Sequence, residues 1–570
     1  MKWFDGYRMR LVVAGFVTAI LFGGGSAKAD FTFGEPINLG PTVNSSVNEL
    51  DPCISANGLE LYFHSTRPGG YGNCDLWVTT RASIEHAWGE PIHLGPDFNT
   101  SNFEGTLGIS PDGLELYFGS DGLPGGSGNC DLWKTSRATR SEPWGPPENL
   151  GPIINSSSNE AHPYISADGL SLYFADVVAP GSTPTRPGGY GGGDIWVSVR
   201  MATNEEWREP QNIGAIINSS YYDAAPCISS DGHVLFFHSD RPGGSGGIGE
   251  AAVDIWIAWR KTPDDPWEEP VNIGPPVNTS VGDAGPALSA DGKTLYFFSG
   301  LGAGFGNWDL YQAPIIPIVD LNGDGIVNAA DMCIMVDYWG TDEKLCDIGP
   351  TPLGDGIVDA QDLIVLAEHL FEEVSDPTLV AHWAMDESEG DIASDSAKDN
   401  DGTVNGEPTW QPEGGMVDGA LQLDGFDDYV STPFVLNPAD GRFSVFAWIK
   451  GGAPGQSVLS QMSGVRWLCA DPSDGNLMTE LKASGRGSAE LLSQTIITDG
   501  NWHRIALAWD GSNRTLYVDG LAVAEDEQNN LEGSEYGLYI GAGKTVTKEP
   551  GFFWSGLIDD VRIYNRAVVP

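Results

Sequence analysis

The sequence predicts a mainly β protein in three parts: a five-bladed β-propeller, a small α-helical module built on calcium loops, and a β-sandwich of the jelly-roll type. Three observations predict this fold class. A turn-and-strand pattern recurs five times at spacings of 55 to 63 residues, an acidic loop followed by a helix comes next, and alternating apolar and polar strands fill the rest of the chain.

The repeats assign residues 30–316 to the propeller. Each copy predicts four short strands, because an Asx-Gly hairpin joins two apolar strands and two further strand segments follow. A Pro-x-Asn-Leu-Gly segment at 36–40 precedes the first copy, whereas the last copy ends without one. We therefore expect the N-terminal strand to complete the last blade and close the ring. The hairpins lie at Asn57-Gly58, Asp112-Gly113, Asp168-Gly169, Asp231-Gly232 and Asp291-Gly292.

The residue pattern of the repeat also resembles that of a known family. Ser-x-Asp-Gly-x-x-Leu-Tyr-Phe, followed by Arg-Pro-Gly-Gly-x-Gly-Gly-x-Asp-Ile-Trp, resembles the TolB-type, WD-like propeller repeat over about half of the chain. The resemblance implies the propeller fold, but it implies no particular activity, because propellers host many functions.

Residues 1–29 have the features of a secretory signal peptide: a basic start, an apolar run too short to span a bilayer and a small-x-small cleavage site at 27–29. The chain is therefore expected to be secreted, extracellular or periplasmic. Its net charge of −50 argues against nucleic acid and anionic membranes as partners and suits divalent cations. With seven cysteines, disulfides are not the main framework, and Cys333 with Cys346 is the one pair considered.

A set of charged and aromatic residues is predicted on one face of the propeller, in the linkers before the innermost strands and in the glycine-rich loops. Such a ring could hold a sugar, a peptide or a cation. Alternatively, each acid pairs with an arginine or caps backbone amides to keep its blade in register, since an acid recurs in all five copies. The candidate ligand-binding residues are Glu49, Arg67, Glu104, Glu160, Arg186, Tyr190, Asp223, Arg241 and Asp283.

The same acids bear on catalysis. A glycoside hydrolase would need separate carboxylates from different blades, and Asp51, Glu104 and Asp223 are available. A catalytic acid should differ from its equivalents in the other repeats, and these acids mostly share theirs. No catalytic residue is therefore predicted.

Residues 317–374 contain one complete calcium loop and one partial copy. The first offers oxygen donors at alternate positions with a glycine at the sharp turn: Asp320, Asn322, Asp324, the Ile326 carbonyl, Asn328 and Asp331. The second offers Asp355, the Ile357 carbonyl, Asp359 and Asp362. Counting back from Asp355 puts Thr351 and Leu353 at positions one and three, so Asp347 could substitute only in a bulged loop.

The two loops, each followed by a short helix, resemble a type I dockerin over about 55 residues. The resemblance implies bound calcium and a cohesin-like partner protein. The alternative is that the module serves only as a calcium-rigidified spacer.

Residues 375–570 contain alternating strands separated by Gly/Asp turns. The order and residue patterns of these strands resemble those of the laminin-G-like, concanavalin-like lectin family, for example at 420–430, 443–449, 501–509 and 556–564. The resemblance implies a jelly roll and a calcium ion that ties the first and last strands through Asp386 and Asp559. Simple solvation of either carboxylate is the alternative.

Taken together, the sequence predicts a secreted, non-catalytic, modular protein that binds carbohydrate or an extracellular surface, with calcium as its cofactor. A polysaccharide-degrading glycoside hydrolase with its active site on the propeller is the first alternative. A structural spacer without any ligand is the second.

Overall fold

The computed structural model describes residues 31–126, 130–177, 186–244, 253–302, 304–323, 325–343, 346–371, 376, 378–483, 489–528, 530–534, 536–545 and 549–568. The predicted signal peptide lies outside the described residues. The protein is mainly β, with a five-bladed propeller first, two short helices next and a jelly roll last. The predicted fold class is confirmed.

The described residues of the propeller form 21 strands. They are β1 (Phe31–Phe33), β2 (Ile37–Asn38), β3 (Glu49–Ile54), β4 (Glu60–Ser65), β5 (Asp75–Thr80), β6 (Ile92–His93), β7 (Glu104–Ile109), β8 (Glu115–Ser120), β9 (Asp131–Ser136), β10 (Glu148–Asn149), β11 (Asn159–Ile165), β12 (Ser171–Val177), β13 (Gly193–Val199), β14 (Gln211–Asn212), β15 (Asp223–Ile228), β16 (Val234–Ser239), β17 (Asp254–Trp259), β18 (Val271–Asn272), β19 (Asp283–Leu288), β20 (Thr294–Ser299) and β21 (Asp309–Pro317).

Four blades are consecutive antiparallel sheets, β3 to β6, β7 to β10, β11 to β14 and β15 to β18. The fifth blade is completed from the N-terminus, because β2 pairs with β21 at the position of a fourth strand. Strand β1 adds to the far end of β21, where Phe31 lies opposite Pro317. The predicted closure of the ring is therefore confirmed.

Apolar side chains between the blades form the core of the ring. The Leu-Tyr-Phe strands contribute Leu61, Leu116 and Leu172, all of them fully buried. Phe31 and Phe33 of the closing segment are also buried, against the last two blades. Burial of this kind, distributed over every blade interface, stabilises the ring as a whole.

The helical module contains α1 (Ala329–Asp337) and α2 (Ala360–Glu368). Each helix begins with a capping box, Asn328 with Asp331 and Asp359 with Asp362. Met335 and Leu366 are buried between the helices and the loops that precede them. The described helices include no helix that is long and apolar enough to cross a membrane. Cys333 and Cys346 do not form a disulfide with each other in the structure.

The jelly roll comprises β22 (Leu379–Trp383), β23 (Ile392–Ala393), β24 (Gly402–Asn405), β25 (Thr409–Gln411), β26 (Ala420–Asp424), β27 (Tyr429–Ser431), β28 (Phe443–Gly451), β29 (Ser457–Gln461), β30 (Arg466–Ala470), β31 (Asn476–Thr479), β32 (Leu491–Ile496), β33 (Trp502–Trp509), β34 (Asn513–Val518), β35 (Leu521–Glu527), β36 (Leu538–Ile540), β37 (Gly543–Lys544), β38 (Pro550–Gly551) and β39 (Ser555–Tyr564). One sheet runs β25-β26-β39-β28-β33-β34-β35, with β22 also on β39. The other runs β23-β24-β27-β36-β29-β30-β31-β32. A single core fills the space between them.

The closing segment gives a first testable prediction. Replacing Phe33 with Ala should lower the free energy of unfolding by about 3 kcal/mol or more, because a buried aromatic side chain is lost at the point where the ring closes. Ile37→Ala, in the same segment, is the matched control, since Ile37 is 57% exposed. Chemical denaturation measures both variants. Equal, small effects would show that the segment does not stabilise the ring.

Candidate functional site

The five acids predicted to line a ligand site are fully buried. Each accepts a hydrogen bond from the serine or threonine four residues earlier: Glu49 from Ser45, Glu104 from Thr100, Glu160 from Ser156, Asp223 from Ser219 and Asp283 from Thr279. A carboxylate with 0% exposure cannot contact a ligand at the surface. The prediction of a ligand-binding acid ring is therefore wrong, and the contacts match the alternative, that each acid holds its blade in register.

The three predicted arginines pair with buried acids of the same ring. Arg67 pairs with Glu49 at 3.0 Å, Arg186 with Glu160 at 3.7 Å and Arg241 with Asp223 at 2.5 Å. Each guanidinium also lies over the aromatic rings of its own blade.

Two blades have a leucine at the arginine position, Leu123 and Leu301. Burial raises the pKa of Glu104 and that of Asp283 to about 6 in these blades, and it raises the pKa of Glu160 to about 7 even beside Arg186. Of the predicted ligand residues, Tyr190 alone has a largely exposed side chain, at 53%.

The propeller axis carries a different set of side chains, one from each blade. Every innermost strand has a β-bulge, and the bulged residue has a positive φ of 47° to 63°. The five equivalent residues are Asp51, Thr106, His162, Ala225 and Gly285. Unlike the acid ring, these residues differ in every blade, which is where an asymmetric site would lie.

A chain of polar contacts connects the axial residues. Asp51 Oδ2 lies 3.1 Å from His64 Nε2 and 3.5 Å from His162 Nε2. On its other side His64 Nδ1 lies 2.9 Å from Cys74 Sγ. The His162 ring contacts the His238 ring edge to face, with centroids 5.4 Å apart. A cavity of about 70 Å³, lined in part by Asp51, Thr106 and His162, adjoins this chain.

The axial groups are electrostatically coupled. Burial alone would lower the pKa of His64, but the Cys74 thiol and the Asp51 carboxylate raise it to about 10. Burial alone would raise the pKa of Asp51, yet His162 and His64 hold it well below its usual range. Burial and the neighbouring His162 lower the pKa of His238 to about 3. Four buried atoms here have no hydrogen-bond partner: Asp51 Oδ1, Thr106 Oγ1, His162 Nδ1 and His238 Nε2.

Sequence reasoning missed the axial cluster. His64 and His238 occupy equivalent positions in two repeats, and neither is distinguished by the pattern alone. His162 is the signal that was available, because it stands where the other blades have Asp, Thr, Ala or Gly. Among the described axial residues Asp51 is the one carboxylate, whereas the two-carboxylate mechanism of glycoside hydrolysis needs a second.

The His64 interaction predicts a pH dependence of stability. A histidine whose folded pKa of about 10 exceeds its unfolded value of about 6.5 stabilises the fold fully below pH 6.5 and loses this contribution as the pH rises towards 10. The difference in unfolding free energy between wild type and His64→Gln should therefore shrink from pH 6.5 to pH 10. Urea titrations at several pH values measure it, with the exposed His86→Gln as control. A constant difference would contradict the pairing with Asp51 and Cys74.

The first predicted calcium loop folds around Asp331. One oxygen of its carboxylate accepts N–H groups of Leu321 and Asn322, at 2.8 and 3.1 Å, and the other accepts that of Asn328 at 2.8 Å. Asp320 Oδ2 accepts the Gly325 N–H at 2.9 Å. Asp324 lies outside the described residues. The described loop thus gathers hard oxygen donors on a tight turn, a donor set that fits a calcium ion.

The second loop repeats this arrangement with four extra residues. Asp362 accepts N–H groups of Ile348, Gly349 and Asp359, as Asp331 does in the first loop. Asp347 Oδ2 accepts the Gly356 N–H at 2.7 Å, the contact that Asp320 makes with Gly325.

Asp347 therefore occupies position one. The loop takes the bulged alternative raised from the sequence, because residues 350–353 are an insertion between positions three and four, and simple counting back from Asp355 does not hold. Asp355 and Asp359 keep positions five and nine, with Ile357 at seven.

In the jelly roll, Asp386 and Asp559 hold one loop from two sides. Asp386 Oδ1 accepts the Gly419 N–H at 2.6 Å, and Asp559 Oδ2 accepts those of Met416 and Val417 at 2.6 and 3.0 Å. Asp559 is fully buried, and its Oδ1 has no partner. Burial and the nearby Asp560 and Asp386 raise the pKa of Asp559 to about 7. A buried carboxylate oxygen without a donor is what a bound cation would satisfy.

A neighbouring turn carries a second acidic group, Asp424, Asp427 and Asp428. Its buried member, Asp428, already accepts the N–H groups of Glu407 and Asp424, at 2.8 and 2.9 Å. The cluster is therefore explained by the hydrogen bonds that shape the turn between β26 and β27.

The outer face of the second jelly-roll sheet carries partly exposed aromatic side chains. Tyr429 and Tyr539 lie edge to face with ring centroids 5.3 Å apart, and Phe553 lies 6.0 Å from Tyr429. Strand register places Asn405 opposite Tyr429, and Ser431 opposite Tyr539. We call these five residues the aromatic face. Sequence reasoning missed it, because the signal lies in the pairing of distant strands.

Comparison with known proteins supports the type of the C-terminal domain. Residues 424–570, about a quarter of the chain, match the model of the Laminin_G_3 family, described as the Concanavalin A-like lectin/glucanases superfamily. The C-terminal jelly roll is therefore a concanavalin A-like domain. No curated protein matches the chain.

Three solved structures resemble the chain at low sequence identity. A Trypanosoma rangeli sialidase in complex with the inhibitor DANA is 13% identical, with 93% of this chain and 96% of that chain covered and a TM-score of 0.43. Domain 4 of AbnA, a GH43 extracellular arabinanase from Geobacillus stearothermophilus, in complex with arabinotriose, is 19% identical over 33% of this chain and 93% of that chain, with a TM-score of 0.24. TolB from Acinetobacter baumannii is 13% identical over 47% and 54%, with a TM-score of 0.30. None of these scores assigns an activity.

Proposed function

We propose that this chain is a secreted, non-catalytic, modular protein that binds carbohydrate through its concanavalin A-like domain. The observation that carries the proposal is the aromatic face. Ring faces of Tyr429, Tyr539 and Phe553 can stack on the C–H surface of a sugar ring, while Asn405 and Ser431 can hydrogen-bond its hydroxyls. The protein would use this face on a glycan of a cell surface or of an extracellular polysaccharide.

Calcium is the proposed cofactor. In the concanavalin A-like domain Asp386 and Asp559 would hold it beside the loop 415–419, where the unpartnered Asp559 Oδ1 is available. In the helical module the two loops would hold it through Asp320 with Asp331 and through Asp347 with Asp362. Bound calcium would supply positive charge among carboxylates that otherwise repel one another.

The resemblance of the helical module to a dockerin further supports a cohesin-like protein as a proposed partner. The module carries exposed apolar side chains suited to a protein partner, Val336 and Ile364 on its helices and Trp339 just after the first helix.

A second candidate function is hydrolysis on the propeller. The observation that favours it is the axial cluster, where Asp51 is flanked by His64 and His162 and polar atoms remain unpartnered. Against a glycoside hydrolase stands the burial of Glu104 and Asp223, the acids that would have acted with Asp51.

The aromatic face predicts where glycan binding can be lost. Tyr429→Ala or Tyr539→Ala should each weaken binding of a glycan by the full chain by about 1 kcal/mol, or roughly fivefold in Kd, because one stacking surface is removed. Tyr190→Ala is the discriminating control, since Tyr190 is exposed on the propeller. A glycan array identifies the ligand and calorimetry then measures the variants.

Three results would decide against this assignment. Loss of binding in Tyr190→Ala, with Tyr429→Ala unaffected, would move the site to the propeller. No glycan bound by the wild-type chain would contradict the proposed function. Release of reducing sugar by wild type, abolished in Asp51→Asn, would establish the hydrolase instead.

Calcium binding at the concanavalin A-like domain can be tested by stoichiometry. Asp559→Asn should remove one equivalent of bound calcium from the full chain, because the neutral amide offers a weaker donor at a buried position. Asp499→Asn is a control on an exposed carboxylate of the same domain. Equilibrium dialysis counts the ions, and an unchanged number in Asp559→Asn would exclude this site.

A further inference from the structure

The two loops of the helical module face different neighbours within the chain. The first loop, 320–331, contacts the last strand of the jelly roll and the residues after it. Tyr564 Oη and Arg562 Nη1 donate to the Gly323 carbonyl, at 2.9 and 3.2 Å. Arg566 Nη2 donates to the Asp320 carbonyl at 2.8 Å. The jelly roll thus holds the backbone of the loop at positions one and four.

The side chains that make these contacts are built into the jelly roll. Tyr564 is 1% exposed, and Arg562 and Arg566 are each 8% exposed. Each arginine has a carboxylate of its own, since Arg562 Nε donates to Asp560 and Arg566 Nη2 to Asp376, both at 2.8 Å. Balanced in this way, the buried guanidiniums can donate to carbonyl oxygens without leaving an unpaired charge.

The second loop contacts the propeller, and it does so through its insertion. Thr351 and Leu353 lie against the hairpin glycine of the fifth blade, where a Cβ on Gly292 would come within 3.2 and 3.5 Å of their atoms. Leu353 packs on the apolar cluster that includes Phe31 and Trp259. Beside it, Lys261 pairs with Asp342 at 2.5 Å. Two of the four extra residues that interrupt the calcium pattern, Thr351 and Leu353, therefore contact the propeller.

The connection from the propeller into the module is short. Strand β21 ends at Pro317, which is paired with Phe31, and the first loop begins three residues later at Asp320. The intervening Ile318 and Val319 are buried. A cavity of about 140 Å³ is lined by Phe33, Ile318 and Arg566, so propeller, connector and jelly roll meet at one point.

We infer that the helical module is an intramolecular joint, in which calcium binding to the loop 320–331 is coupled to docking of the concanavalin A-like domain. The inference rests on the calcium proposed for this loop. A cation that gathers the loop's carboxylates fixes the backbone, and the fixed backbone presents the Asp320 and Gly323 carbonyls to Arg566, Arg562 and Tyr564. Because coupling is reciprocal, contacts from the jelly roll must also strengthen calcium binding.

Reciprocity makes the joint testable with a residue that is not a calcium ligand. Tyr564→Phe keeps the buried ring and removes the one hydroxyl that contacts the loop. It should weaken calcium binding to this loop about fivefold, the effect of one lost hydrogen bond, and Arg562→Ala should weaken it further. Arg208→Ala, an exposed arginine on the propeller, is the matched control. Calorimetry on the full chain measures the affinity, and Asn322→Ala identifies the transition that belongs to this loop.

Small-angle X-ray scattering on the same samples provides the second readout. Chelation of calcium from the wild-type chain should increase the radius of gyration, and restored calcium should reverse the change. An unchanged radius, with Tyr564→Phe and Arg562→Ala binding calcium as wild type does, would overturn the joint and leave the calcium assignment standing. A wild-type chain that binds no calcium at this loop would overturn both. Neither result depends on glycan binding, which the variants of the aromatic face test separately.

Discussion

In each of the five blades a fully buried carboxylate accepts a hydrogen bond from the serine or threonine four residues earlier in the linker. The residue before that serine or threonine is an asparagine, which bridges to a strand of the preceding blade, as Asn99 does with Leu76. Outside the propeller, Asp331 and Asp362 accept N–H groups in the same manner, as does Asp559. In this chain of net charge −50, some of the carboxylates thus accept hydrogen bonds from buried backbone N–H groups.

This constraint explains which sequence predictions succeeded. The five blades and their closure from the N-terminus were predictable, because hairpin turns and strand periodicity are local signals. The prediction that the acid ring binds a ligand was wrong. An acid that recurs in every repeat has the same structural role in every blade, and here that role is to be buried and hydrogen-bonded. The serine or threonine four residues upstream was the missing signal, because it donates hydrogen bonds to the acid.

The sites that escaped prediction depend on contacts between distant residues. His162 reaches Asp51 only because a bulge turns each innermost strand towards the axis. Tyr429 and Tyr539 become neighbours only when β27 pairs with β36. Asp347 takes position one only because its loop contains four inserted residues. Sequence spacing alone does not show whether such an insertion is present. Long-range geometry of this kind is set by topology and not by local propensity.

Amide hydrogen exchange on the full chain, with calcium and with chelator, tests most directly whether these carboxylates have two distinct roles. Acids of the propeller ring already have their protein donors, so exchange there should not respond to calcium. Residues 320–331, 347–362 and 415–419 should gain protection with calcium, and so should the segment 555–566 that grips the first loop. Protection that rises in the blades as well, or in none of these segments, would contradict the account.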